Sequence, residues 1–229
     1  MSQSAASGAS RLSLFDLDNT LIRGDSDYGW AHFLIQHGVL DGAEYERRNA
    51  QFFADYKAGT LDILAFLDFQ LKPLAEHPMK DLLAWRARFV EQEIVPLLLP
   101  AAKSVVDERL RAGDLVAVVT ATNSFITRPI ADLYGIDHLI ATEPERLDGR
   151  FTGRVAGTPS FQEGKILRVR EWLQGLGRSL ESFAESWFYS DSRNDLPLLQ
   201  AVTHPVAVDP DPTLLAHARA YGWQTTTWR

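Results

Sequence analysis

The reading of the fold turns on ten residues, Ser13-Leu14-Phe15-Asp16-Leu17-Asp18-Asn19-Thr20-Leu21-Ile22, or SLFDLDNTLI. The apolar run over residues 12–15 is continuous rather than alternating, which suits a strand covered on both faces, as in a parallel sheet flanked by helices. In an extended chain residues i and i+2 face the same side, so Asp16 and Asp18 are expected to project together from the strand's C-terminal end. Open α/β sheets bind ligands at that end. Taken alone, Asp18-Asn19-Thr20 is equally a turn with capping residues, so the rest of the chain must decide.

Three more apolar runs, over residues 115–119, 187–189 and 206–208, read as strands. Residues 102–111, 124–134 and 165–176 carry helical spacing between them. Strand and helix alternate, which predicts an α/β doubly wound fold, a Rossmann-like parallel sheet core. Between the first two strands, residues 27–93 repeat apolar side chains at helical spacing without a β-rich run. That is too much helix for a simple crossover. It predicts an inserted α-helical cap domain over 25–95, with the core formed by 11–24 and 96–229 and a disordered tail at 1–10. The insert's aromatic residues are expected to form its own core. Residues 145–155 carry an Asp148-Gly149 turn between β-prone pieces and read as a hairpin.

The chain of 229 residues is 45% hydrophobic and carries a net charge of -7. No run approaches the roughly 18 apolar residues that a membrane span needs, and an acidic balance argues against a nucleic-acid partner. The start, MSQSAASGAS, lacks the basic residues and apolar core of a secretory signal. A soluble, cytoplasmic protein is the expectation; its oligomeric state is not legible. There are no cysteines, so disulfides and thiolate metal sites are excluded and any metal must use oxygen or imidazole ligands. The six histidines, His32, His37, His77, His138, His204 and His217, show no paired spacing typical of zinc and are read as structural or exposed. Gly164-Lys165 is followed by Ile166 where a phosphate-binding Walker loop needs Ser or Thr.

Three further features fall near expected strand ends or helix starts. Thr120 is read as ending the second strand, just before a helix whose first N–H groups can face a phosphate. Lys165 begins another helix, where a cation is mildly unfavourable against the macrodipole. Asp191, Asn194 and Asp195 follow the strand at 187–189 and alone would pass for turn and cap residues.

In this order, Asp-x-Asp-x-Thr, then Thr, then Lys, then Asp-x-x-Asn-Asp, the chain resembles the haloacid dehalogenase-like (HAD) phosphohydrolases over nearly its whole length. The helical insert resembles their phosphoserine-phosphatase-like branch (subfamily IB). The resemblance implies that Asp16 is a nucleophile forming an aspartyl-phosphate. It implies that Asp18 is the general acid on the leaving oxygen and then the base for water. Mg2+ is implied on the side chains of Asp16 and Asp191 and the backbone carbonyl of Asp18, with Asp195 in support. Thr120, the N–H of Ala121 and the ammonium of Lys165 are implied to hold phosphoryl oxygens, with Asn194 at the edge. The chemistry agrees, since two carboxylates beside a phosphate need cations to offset repulsion. Aspartate at position 18, where phosphotransferring ATPases of the superfamily carry Thr, implies hydrolysis of the phospho-enzyme.

In phosphoserine phosphatases a Glu nine residues after the nucleophile binds the substrate ammonium and an Arg of the insert binds its carboxylate. Asp25 stands nine after Asp16, and the Arg position falls on Gln70. An amide cannot replace a bidentate guanidinium, so the expected substrate is a small-molecule phosphate ester with an amine but no carboxylate, histidinol phosphate being one. Phosphoserine is the runner-up, and Asp25 is alternatively a helix cap above a site open to several small esters. A phosphotransferase and a phosphate-binding protein without turnover remain as other classes on the same scaffold.

Overall fold

The computed structural model describes residues 10–229, so the tail expected at 1–10 lies, apart from Ser10, outside the described residues. The chain opens with strand β1 (Arg11–Phe15), followed by helices α1 (Ser26–Gln36), α2 (Gly42–Ala58), α3 (Ile63–Glu76) and α4 (Met79–Phe89). A π-turn at Val90–Ile94 and a short 3-10 turn lead into α5 (Pro100–Arg111), β2 (Leu115–Asn123) and α6 (Ser124–Tyr134). Next come β3 (His138–Leu147), β4 (Arg150–Ala156), α7 (Glu163–Gly175) and β5 (Glu185–Ser190). The chain closes with α8 (Leu196–Leu199), β6 (His204–Val208), α9 (Pro212–Tyr221) and β7 (Gln224–Thr226).

The seven strands form one sheet in the order β4-β3-β2-β1-β5-β6-β7, parallel except for the antiparallel β3–β4 edge. β1 is central, with Phe15 level with Val118 on one side and Tyr189 on the other. Leu12 and Leu14 pack with Val169 and Leu173 of α7, Leu198 and Leu199 of α8, and Leu214 and Ala218 of α9. Phe15, Val116 and Val118 face the opposite way, onto Ala102 and Val106 of α5 and Phe125, Ile126 and Ile130 of α6. Both sheet faces are covered, which is why the strands read as continuous apolar runs. Every helix between β1 and β2 belongs to the insert except α5, which returns the chain to the core.

Three features differ from the sequence reading. β2 runs on to Asn123, whose side chain then caps α6 by accepting from Ile126 N–H; Thr120 therefore lies within the strand rather than at its end. The hairpin expected at 145–155 is present, with Asp148-Gly149 at its turn, but its first strand is the end of a longer one, because β3 begins as a core strand parallel to β2 and continues into the antiparallel pair. β3, whose apolar run Leu139-Ile140-Ala141 leads straight into the hairpin, and the polar edge strand β7 are not among the expected strands. The hairpin also reaches the insert: Gly153, at φ 80°, lets β4 approach α3 so closely that a Cβ would stand 3.3 Å from the Ala75 side chain. Among the described residues no helix is long and apolar enough to cross a membrane.

Candidate active site

The site starts where β1 stops. Asp16 N–H continues the ladder by donating to Tyr189 O at 2.9 Å, but β1 ends at Phe15, so both acids lie in a loop rather than on an extended strand. The loop folds on itself: Leu17 O accepts from Leu21 N–H at 2.9 Å and from Ile22 N–H at 3.1 Å. Asn19 adopts φ 58° to make the turn, a conformation Asn tolerates better than most residues. Strand alternation thus does not place Asp18; its partners do. Ser26 N–H donates to Asp18 Oδ1 at 2.6 Å, and the Thr122 hydroxyl donates to Oδ2 at 2.8 Å.

Asp16 and Asp18 line one cavity of about 110 Å³ together with Asp25, Gln70, Thr120, Ala121 and Lys165. Lys165 is buried, its ammonium 2.8 Å from Asp16 Oδ1 and 2.7 Å from Asp195 Oδ1. Burial opposes the charge on Lys165, but Asp16 and Asp195 outweigh it and hold the ammonium's pKa above its ordinary value. Asp195 also accepts from the Ser190 hydroxyl at 2.7 Å. Asp191 N–H donates to Thr20 Oγ1 at 3.1 Å, and that oxygen stands 3.2 Å from Asp16 Oδ2 and 3.3 Å from Asp191 Oδ1. One hydroxyl proton serves two carboxylates there, so at any moment only one of them receives it.

Three carboxylates, Asp16, Asp191 and Asp195, therefore face one ammonium. Burial, then the charges of Asp16 and Asp195, push the Asp191 pKa well above the usual carboxylate range. Burial raises Asp195 to about 6 despite Lys165. An all-oxygen set with excess negative charge fits a hard divalent cation. Among the described residues no three acidic or imidazole side chains form a cage by themselves. A cation on Asp16 and Asp191 would thus draw further oxygens from the backbone, water or a phosphate. Burial first, and then Asp25, raises Asp18 to about 6, close to the range in which a carboxyl both gives and takes a proton near neutrality.

The remaining expected residues are less uniform. Thr120 is buried and lines the cavity, but its hydroxyl accepts from Thr122 N–H at 3.1 Å and lies 3.4 Å from Asp18 Oδ2. Asn194 is not among the residues lining the cavity; its side-chain carbonyl accepts from Gln162 Nε2 at 3.2 Å. Asp25 caps α1, its Oδ1 accepting from Tyr28 N–H at 2.9 Å. Gln70 lines the cavity, yet its amide oxygen accepts from the Tyr45 hydroxyl at 2.7 Å and its nitrogen donates to Asn49 at 3.2 Å. The aromatic residues of the insert divide: Trp30, Phe33 and Phe89 are core, whereas Phe52, Phe53 and Tyr56 line the cavity. Thr20 is marked in the sequence only by its motif, and Ser26, Thr122 and Asp27, which also lines the cavity, are not marked as site residues; the polar run Thr120-Ala121-Thr122-Asn123 is the one local signal for Thr122.

A family model for haloacid dehalogenase-like hydrolases matches residues 13–200. A protein of Neisseria meningitidis serogroup C (strain 8013) described as histidinol-phosphatase is 45% identical, over 95% of this chain and 99% of its own. Phosphoserine phosphatase SerB1 of Mycobacterium tuberculosis is 30% identical, over 94% of this chain and 70% of its own. A crystal structure of a protein of unknown function from Bordetella pertussis Tohama I matches with a TM-score of 0.90 at 52% identity, covering 95% of this chain and 98% of that one. A substrate-bound phosphoserine phosphatase shares the fold, with a TM-score of 0.67 at 20% identity over 95% of this chain and 92% of that one.

Proposed function

The chain belongs to the haloacid dehalogenase-like hydrolases and is a phosphomonoester hydrolase, and we propose that it hydrolyses a small amine-bearing ester, histidinol phosphate, through an aspartyl-phosphate on Asp16. Asp16 attacks phosphorus as the bond to the leaving oxygen breaks, and Asp18 gives that oxygen its proton. Asp18 then takes a proton from water as the water attacks phosphorus, which frees Asp16 and inorganic phosphate. The Ser26 N–H and the Thr122 hydroxyl fix the Asp18 carboxylate for both transfers. Lys165 holds Asp16 in place, and an ammonium has three donors, so it also serves a phosphoryl oxygen together with Thr120 and Ala121 N–H. A magnesium ion on Asp16, Asp191 and the Asp18 carbonyl, with Asp195 behind, would neutralise charge on the phosphoryl oxygens. Residues 25–95 act as the cap that shapes the substrate end.

One observation carries the substrate reading: the cavity wall presents Asp25 and Gln70, and no arginine lines it among the described residues. A carboxylate-bearing ester such as phosphoserine would find no guanidinium to pair with. The relative described as histidinol-phosphatase supports the same choice. The test is phosphate release from histidinol phosphate and phosphoserine, each with magnesium and with EDTA. Faster turnover of histidinol phosphate, abolished by EDTA, is expected; equal or faster turnover of phosphoserine overturns the substrate, and turnover that survives EDTA overturns the metal.

A further inference from the structure

Asp27 is the second residue of α1, is 7% exposed and lines the same cavity as Asp16 and Lys165. Its circumstances differ from those of Asp25. Asp25 has its Oδ1 committed to the backbone, accepting from Tyr28 N–H at 2.9 Å as the cap of α1. The Asp27 carboxylate receives a single long hydrogen bond, from Asn123 Nδ2 to Oδ1 at 3.5 Å. Among the described residues Oδ2 receives none, and no cationic side chain pairs with either oxygen. Lys165, the cation in the cavity wall, is already bound to Asp16 and Asp195. A carboxylate buried without an ion partner is costly, so a partner supplied by a ligand would relieve that cost. The wall also carries Phe52, Tyr56 and Phe66, whose ring faces attract cations and stack on flat heterocycles.

We propose that Asp27 is the carboxylate that pairs with the protonated nitrogen of an amine-bearing phosphate monoester, while Asp25 is a positioning residue that starts helix α1. This rests on the amine-ester reading above and changes which acid reads the amine. Burial, followed by the charges of Asp25 and Asp18, raises the Asp27 pKa well above the usual carboxylate range; a cation bound beside it holds it ionised.

The test compares histidinol phosphate with p-nitrophenyl phosphate, which carries no cation, in the unmodified chain, Asp27→Asn and Asp25→Asn. Asn keeps the shape at position 27 and the cap at position 25. Asp27→Asn is expected to raise KM for histidinol phosphate at least about tenfold, with kcat moved far less and with a much smaller change in KM for p-nitrophenyl phosphate. Asp25→Asn is expected to move KM for histidinol phosphate much less. An unchanged KM in Asp27→Asn, an equal rise for both esters, or a larger effect from Asp25→Asn overturns the assignment. If Asp27→Asn does not fold, Asp27→Ser, smaller and also uncharged, gives the same comparison with the same outcomes. Failure of the amine reading shows separately, as an unmodified chain that hydrolyses p-nitrophenyl phosphate but not histidinol phosphate.

Discussion

Lys165 spans Asp16 and Asp195 from a buried position, and Asp191 adds a third carboxylate to the group. Removing the ammonium with Lys165→Met leaves the buried Asp16 and Asp195 facing each other out of water, with Asp191 beside them. At pH 7.5 that should cost about 3–5 kcal/mol of stability, the usual penalty for breaking a buried pair. The sign of its pH dependence follows from raised acid pKa values. A carboxyl raised in the folded state, such as Asp195 at about 6 against 3.8, gives stability that is full below 3.8 and lost as pH rises through about 6. Without Lys165 those values rise further, so the deficit should shrink as pH falls from 7.5 to 5. Urea unfolding of both proteins at the two pH values checks this; an equal deficit at both contradicts it. At this scale Asp16, Asp18, Lys165 and Asp191 were legible because motif order names them. Thr122 and Ser26 N–H were not, because a hydroxyl or an amide becomes a carboxylate's partner only when the fold brings it there.

Among the elements, α7 positions Lys165 through a close approach at its own start. A Cβ on Gly164 would stand 2.0 Å from Pro159 O, so Gly164→Ala must displace either that loop or the first turn of the helix. The variant should lose at least about 1–3 kcal/mol and most of its turnover, because Lys165 is the next residue. Thermal unfolding together with phosphate release checks both; full turnover at wild-type stability contradicts the placement. The helix beginning was readable from its spacing, and α6 matches the expected residues 124–134. β2 outran its apolar run because Thr120, Thr122 and Asn123 are polar but buried, and their hydroxyl and amide groups find partners at the site and the cap of α6. β3 is not among the expected strands because its buried run Leu139-Ile140-Ala141 continues directly into the polar, more exposed hairpin residues, and β7 is a three-residue polar edge.

In the whole molecule, a parallel sheet covered on both faces brings β1, β2 and β5 side by side, so loops far apart in sequence meet at one end. The insert closes over that end. Tyr56 Oη lies 3.0 Å from Ser192 Oγ, and Arg193 donates to the carbonyl of Lys57, which ties the last turn of α2 to the loop that carries Asp191. The fold class and the helical insert could be read from alternating patterns, whereas the shape of the cavity could not, because Gln70, Asp27 and Phe52 come from three helices whose mutual packing no local pattern encodes. The proposed reaction requires the phosphoryl group to pass through Asp16. Acid quenching of the enzyme during turnover of radiolabelled histidinol phosphate with magnesium tests it most directly. The expected result is a hydroxylamine-labile phosphoryl group on the peptide containing Asp16, absent from Asp16→Asn together with turnover. Phosphate release by Asp16→Asn at the unmodified rate, or a label on another residue, would contradict it.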